Sequence, residues 1–409
     1  MNANAPLRTR AIRALLPGLM TFSMGQTVLF AVAGPVFRDI GLSEIQLGIV
    51  VSAAAVVFVL ASPIWGRLSD RWGRKRVIVF GLFTYTATSA AFALCLDIGL
   101  RGLTEATTVF VLALTIRLTY AALGAGIQPA SVALMADLST DEERSSAVAI
   151  VGAAFGLGMI LGPASAAVLV IFGVLTPLYA IAILGLGCAL LAFVALPDER
   201  ATASAAVAPG SQLSVKRLVP LLAAGLLFFI AVSALQQTMA FYVQDYAGVD
   251  SAEAARLTGY CFVVMALFSL VVQGGIVQWL KPNPGLMLRG GMPLMLIGVT
   301  LYAFPQGYWQ LLLAGAFFGL GFGFINPGLI AAASLRSGSE HQGAAAGLMQ
   351  ATMAGGYVVG PLAGTAVYGT GGLGTASLIG AAVAVALLVV LALRFDPPAN
   401  VEVSSGQAS

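Results

Sequence analysis

A chain of 409 residues that is 59% hydrophobic and only 9% charged, with a mean hydropathy of +0.95, cannot supply the charged surface of a water-soluble domain, which is about a quarter charged. A soluble enzyme, a nucleic-acid binder and a disordered chain are excluded, and a net charge of +3 is too small to point to a polyanionic partner. At roughly 20 residues per crossing, the apolar share corresponds to about a dozen membrane-spanning helices.

Hydropathy predicts twelve spans, over residues 14–37, 44–65, 76–97, 106–136, 143–170, 174–196, 218–244, 254–280, 287–304, 308–334, 342–369 and 372–394. These are continuous apolar runs, not the short alternating segments of a closed β-barrel. The first follows Arg8, Arg10 and Arg13 and is too long for the core of a signal peptide, so it is expected to remain as span one. It carries Gln26 but no acid. Between spans two and three lies Gly66 to Arg76, GRLSDRWGRKR, where Asp70 and Gly73 stand at set places among basic residues. Span four holds Arg117, Gly124, Gly126 and Pro129 and ends at Asp137. Arg117 is the one charge well inside an apolar segment; such a charge costs roughly 2.5–3.5 kcal/mol and marks a functional site by default. Span five carries Gly152, Gly156, Gly158 and Gly162-Pro163, a spacing that lets helices pack backbone to backbone.

A polar stretch rich in Ala, Ser and Pro then forms a linker. It divides the chain into a first half (1–197), the linker (198–217), a second half (218–396) and a tail (397–409). Span seven contains Gln236-Gln237 and Tyr242, span ten Asn326, and span eleven Gln350, Gly356, Tyr357 and Gly360-Pro361. Pro129 and Pro327, Gly158 and Gly356, and the two Gly-Pro pairs recur at one common offset, as expected of a duplicated six-helix unit with a substrate site where the halves meet. With the N-terminus inside, all but Arg38, Arg101, Arg117 and Arg256 of the 20 Lys and Arg fall on the cytoplasmic side. Cys95, Cys188 and Cys261 lack metal-ligand spacing, and no phosphate-binding loop or catalytic arrangement occurs. Asp39 and Asp245 read as solvated residues near the outer face.

The 66–76 string resembles the signature loop G-x-L-x-D-R-x-G-R-K/R of the major facilitator superfamily. The spans, duplication and linker extend the resemblance over nearly the whole chain. It implies an all-α integral membrane fold of two pseudo-symmetric six-helix halves and a secondary active transporter working by alternating access. It also implies a small-molecule substrate, a proton gradient as energy source with no cofactor or metal, no nucleic acid, and a monomer in the bilayer of a bacterial cytoplasmic membrane. Asp70 and Arg74, with Gly66 and Gly73, match the family's gating loop, and Asp137 matches the acid that completes its charge relay. The second-half counterpart at 274–285 keeps glycine and Lys281 but lacks the Asp.

Gly158, Gly162 and Pro163 resemble the motif of drug:proton antiporters, the multidrug and tetracycline efflux type. That resemblance implies a seam of span five against span eleven, where Gly356, Gly360 and Pro361 are the counterparts. The motif departs at Ala164-Ser165-Ala166, where glycines are usual. Around Arg117 the family pattern R-x-x-Q-G-x-G is met in arginine and Gly124/Gly126, but Tyr120 and Ala121 replace Gln and Gly. Arg117, Gln26, Gln236, Gln237, Asn326 and Tyr357 are the expected substrate or coupling residues. Export of drugs, export of a carboxylated metabolite or siderophore, proton-coupled uptake, and a non-transporting membrane sensor all remain open at this level.

Overall fold

The computed structural model describes residues 5–140, 143–197, 215–337 and 342–371, and the regular structure in them is helical. Among the described residues, ten helical stretches are long and apolar enough to cross a membrane. Spans one to three are Ala5–Asp39, Glu44–Trp72 and Arg74–Leu100; spans four to six cover Ala106–Asp137, Arg144–Leu169 and Thr176–Ala195. Spans seven to ten are Val215–Ala247, Ser251–Leu280, Pro284–Ala303 and Tyr308–Ser337. Span eleven, Gln342–Gly371, is as long, but its glycines, Gln350 and Tyr357 dilute its hydropathy. The expected twelfth span at 372–394, the tail and most of the linker lie outside the described residues.

Local chemistry explains where helices depart from the expected limits. The 66–76 segment is not a loop: span two runs to Trp72 and span three restarts at Arg74. The single residue between them, Gly73, has φ +99°, a conformation open to glycine and strained for other residues. Span four, expected as one helix, is two, Ala106–Gly124 and Ile127–Asp137. Pro129 has no N–H for the carbonyl of Ala125 four residues back, its ring crowds that carbonyl, and the flanking Gly124 and Gly126 offer little helix propensity. Span ten carries the corresponding Pro327 yet stays one helix. There Gly321 and Gly323 also precede the proline, but they are packed against the Met295 amide and the Ser269 carbonyl of neighbouring helices, and tertiary packing overrides the weak local propensity. Span eight contains a π turn at Val271–Ile276, around Gly274-Gly275.

The two halves repeat one packing scheme. Span five lies on span one, and span eleven lies on span seven. A Cβ at Gly162 would stand 2.5 Å from the Met24 carbonyl oxygen, and one at Gly360 2.5 Å from the Ile230 carbonyl oxygen. Ser23 donates to the Phe155 carbonyl at 2.7 Å, and Ser233 to the Gly356 carbonyl at 2.9 Å. This corrects the expected seam of span five against span eleven. Gly158 and Gly162 are used up in contact with span one, and Gly356 and Gly360 in contact with span seven, whereas Gly152 and Gly156 face open space.

The halves meet instead along span two with span eleven and span five with span eight, with span one touching spans seven and eight. Gly48 faces Thr365 and the Pro361 carbonyl, and Gly259 faces the Pro163 carbonyl at 2.8 Å from a built Cβ. The Leu362 amide donates to Ser52 Oγ at 3.1 Å. All of these lie toward the end of the bundle opposite the basic 66–76 segment, here called the far end. Along span two, burial stops at Ala54 and resumes only at Ser69. The halves are therefore joined at the far end and part toward the basic end. Large apolar side chains such as Phe172, Ile183 and Val194 stay exposed, as a bilayer-facing surface requires.

Candidate functional site

At the basic end, the break at Gly73 brings the last turn of span two beside the first turn of span three. Arg74 is 5% exposed and sits among Asp70, which pairs with its Nη1, Asp137, whose Oδ2 is 3.2 Å from Nε, and Ser69, whose Oγ accepts from Nη1 at 2.6 Å. Asp70 is largely solvated, with 57% of its side chain exposed, whereas Asp137 is at 17%. The structure thus brings Asp70, Arg74 and Asp137 together. Gly66 has a different part: its carbonyl accepts from Ser69 Oγ at 2.7 Å, which aims Ser69 at Arg74. Ser69 was not singled out from the sequence, because a serine beside an aspartate has no distinctive pattern.

Deeper in the first half, Arg117 projects from span four among spans one, three and six. Nη2 donates to Gln26 Oε1 at 3.2 Å, and Gln26 Nε2 donates to the Tyr120 hydroxyl. The guanidinium carbon lies 4.8 Å from the Tyr120 ring centre and 6.0 Å from that of Phe92, in cation–π range. Its Nε is buried without a partner. The ion pairs of the described residues give Arg117 no carboxylate. A cavity of about 20 Å³ adjoins it, with Tyr85, Thr88, Ser89 and Tyr120 among its lining residues. That is space for about one water. Tyr120, which breaks the family pattern where Gln is usual, is here the residue that holds Gln26 and covers the cation.

The second half holds a separate polar pair, with the Tyr357 hydroxyl donating to Gln236 Oε1 at 2.9 Å. Gln237 Oε1 and Asn326 Oδ1 are buried without partners. No hydrogen bond joins this group to Arg117, so the expected site is two clusters, one per half. Tyr242 is committed elsewhere, donating to the Tyr302 carbonyl at 2.8 Å. Gln350 is exposed.

A fourth cluster lies at the far end, where Asp245 was expected to be solvated. Arg38 Nη1 and Nη2 reach Asp245 Oδ1 and Oδ2 at 2.6 and 3.0 Å, and its Nε reaches Glu44 Oε1 at 2.8 Å. The Tyr368 hydroxyl donates to Asp245 Oδ2 at 2.7 Å. The sequence signal for it is faint: an arginine on the side of the membrane where few basic residues fall.

A family model described as Major Facilitator Superfamily matches residues 15–296 and 284–409. Multidrug resistance protein 2 of Bacillus subtilis (strain 168) is 25% identical over 363 residues, covering 86% of each chain. Quinolone resistance protein NorA of Staphylococcus aureus is 24% identical over 342 residues, covering 82% of this chain and 84% of that one. The human organic anion transporter MFSD10 superposes with a TM-score of 0.65 at 18% identity, over 94% of this chain and 99% of that one.

Proposed function

The chain belongs to the major facilitator superfamily, and from that premise we propose that it exports small organic molecules in exchange for protons, by alternating access between its two halves. The observation that carries this reading is the pair of Gly-Pro packing sites, Gly158 and Gly162-Pro163 on span one and Gly356 and Gly360-Pro361 on span seven. They make each half a rigid unit that moves as a body. The multidrug and quinolone resistance relatives favour export of drugs. In this reading the basic end is cytoplasmic in a bacterial inner membrane, both termini are inside, and the described conformation admits substrate from the cytoplasm.

Residue roles follow from position. Asp70, Arg74 and Asp137 lock the start of span three to the end of span four in this conformation, so a change at that lock alters how the basic end can close. Substrate binds between the halves, with Gln26 and Arg117 on one side and Gln236, Tyr357, Gln237 and Asn326 on the other. The protein acts as a monomer without cofactor or metal.

A second reading has one observation in its favour. Arg117 is a half-buried cation inside a span with no carboxylate partner among the described residues, and a carboxylated substrate would supply one. Everted membrane vesicles with an imposed pH gradient, loaded in turn with cationic drugs and with anionic metabolites, separate these readings. Accumulation of a cationic drug that collapses with the gradient is the expected result. Accumulation of anions alone favours the second reading, and uptake only in right-side-out vesicles overturns export.

A further inference from the structure

We propose that Arg38, Glu44, Asp245 and Tyr368 form the latch that holds the far end closed, and that this latch opens in every transport cycle. The inference rests on the transporter reading, but its geometry stands apart from the residues assigned to that function so far.

The latch crosses between the halves. Arg38 and Glu44 end span one and begin span two, whereas Asp245 and Tyr368 belong to spans seven and eleven. The pairs of Arg74 with Asp70 and Asp137 stay inside the first half. Arg38 is bidentate to Asp245, at 2.6 and 3.0 Å, an arrangement with more strength and direction than a single contact. Its Nη1 also reaches Gln244 Oε1 at 3.3 Å. The guanidinium lies 4.7 Å from the Phe241 ring centre and 5.8 Å from that of Tyr368, so aromatic rings of the second half shield it on its faces. Glu44 and Tyr368 fix the two partners from opposite sides, so neither side chain must be ordered anew to make the pair.

The backbone beneath is built to be drawn together. A Cβ at Gly34 would lie 3.2 Å from the Phe241 ring and 3.5 Å from Ala240, and Ala240 is fully buried. Moving the halves apart at this end separates Arg38 from Asp245 and uncovers Ala240. These contacts exist only in the far-end-closed state, so they bias the equilibrium toward it and toward nothing else.

The test uses the full-length protein in lipid nanodiscs, with Ala240→Cys as the reporter and a polar maleimide as the probe. Labelling is read as the rate above that of the protein without the added cysteine, whose own three cysteines are buried. Asp245→Asn and Arg38→Gln are expected to raise the labelling rate at least about tenfold, while Asp245→Glu, which keeps the charge, stays near the parent. Should the two neutral variants fail to reach the membrane, Tyr368→Phe decides, with a smaller rise expected. Labelling at the parent rate in all of them overturns the latch. The readout needs no substrate or gradient. Faster labelling of the neutral variants, with a parent that moves no solute, would overturn the transport reading and leave the latch in place.

Discussion

At the scale of single residues, exposure separates members of one cluster. Arg74 is 5% exposed, and of its two acids Asp137 is the sheltered one. Asp137→Ala leaves a buried guanidinium short of its inner counter-ion and is expected to cost about 3 kcal/mol, read as a lower thermal unfolding midpoint in detergent. Asp70, at 57% exposure, contributes little to stability. Asp70→Asn is therefore expected to leave the midpoint within a degree or two and yet nearly abolish transport, and full transport by that variant would refute the gating role. Arg117 runs the other way. Its charge lies in an apolar bundle without a carboxylate, a placement that costs roughly 2.5–3.5 kcal/mol. Arg117→Met is expected to raise the unfolding midpoint while transport falls at least about tenfold, the behaviour of a group kept for function at the expense of stability. Asp70, Arg74 and Arg117 were legible in the sequence because charges are scarce in it. Ser69 and Tyr120 were not, because their parts depend on which neighbour the fold brings to them.

At the scale of helices, hydropathy located ten crossing helices and span eleven to within a few residues at most ends. It missed what happens within them. The break in span four comes at a proline with glycines before it, and span ten, unbroken with a proline and glycines of its own, shows that packing and not local sequence decides the outcome. The glycine positions were legible as packing sites, but their partners were not, since a glycine says that something comes close and not what. Gly162→Val and Gly360→Val probe the corrected assignment. Each forces a branched side chain against a carbonyl of span one or span seven, an overpacking of about 1–3 kcal/mol or more. Both are expected to loosen a half and lower the unfolding midpoint. A seam variant such as Gly48→Val, which faces Thr365 across the halves, is expected instead to hinder far-end closure with a smaller loss of stability.

At the scale of the whole molecule, each half holds its own polar cluster and its own repeat of the glycine packing, and the halves touch along few helices. Fragments 1–197 and 218–409, expressed together, are expected to reassemble and recover part of the transport, measured in the same vesicles, while either alone transports nothing. Failure of co-expressed fragments that both reach the membrane would argue against two independent units.

The sequence by itself determined the membrane class, the positions of the crossing helices, the internal duplication and the basic end. These follow from composition, period and spacing, which are properties of the chain read locally. Only the tertiary structure decided which helices the glycines serve, that the polar residues form two groups and not one, and that Arg38 and Asp245 join the halves. Those are contacts between residues as far as 310 positions apart, and their chemistry depends on distance and burial, which no local pattern carries.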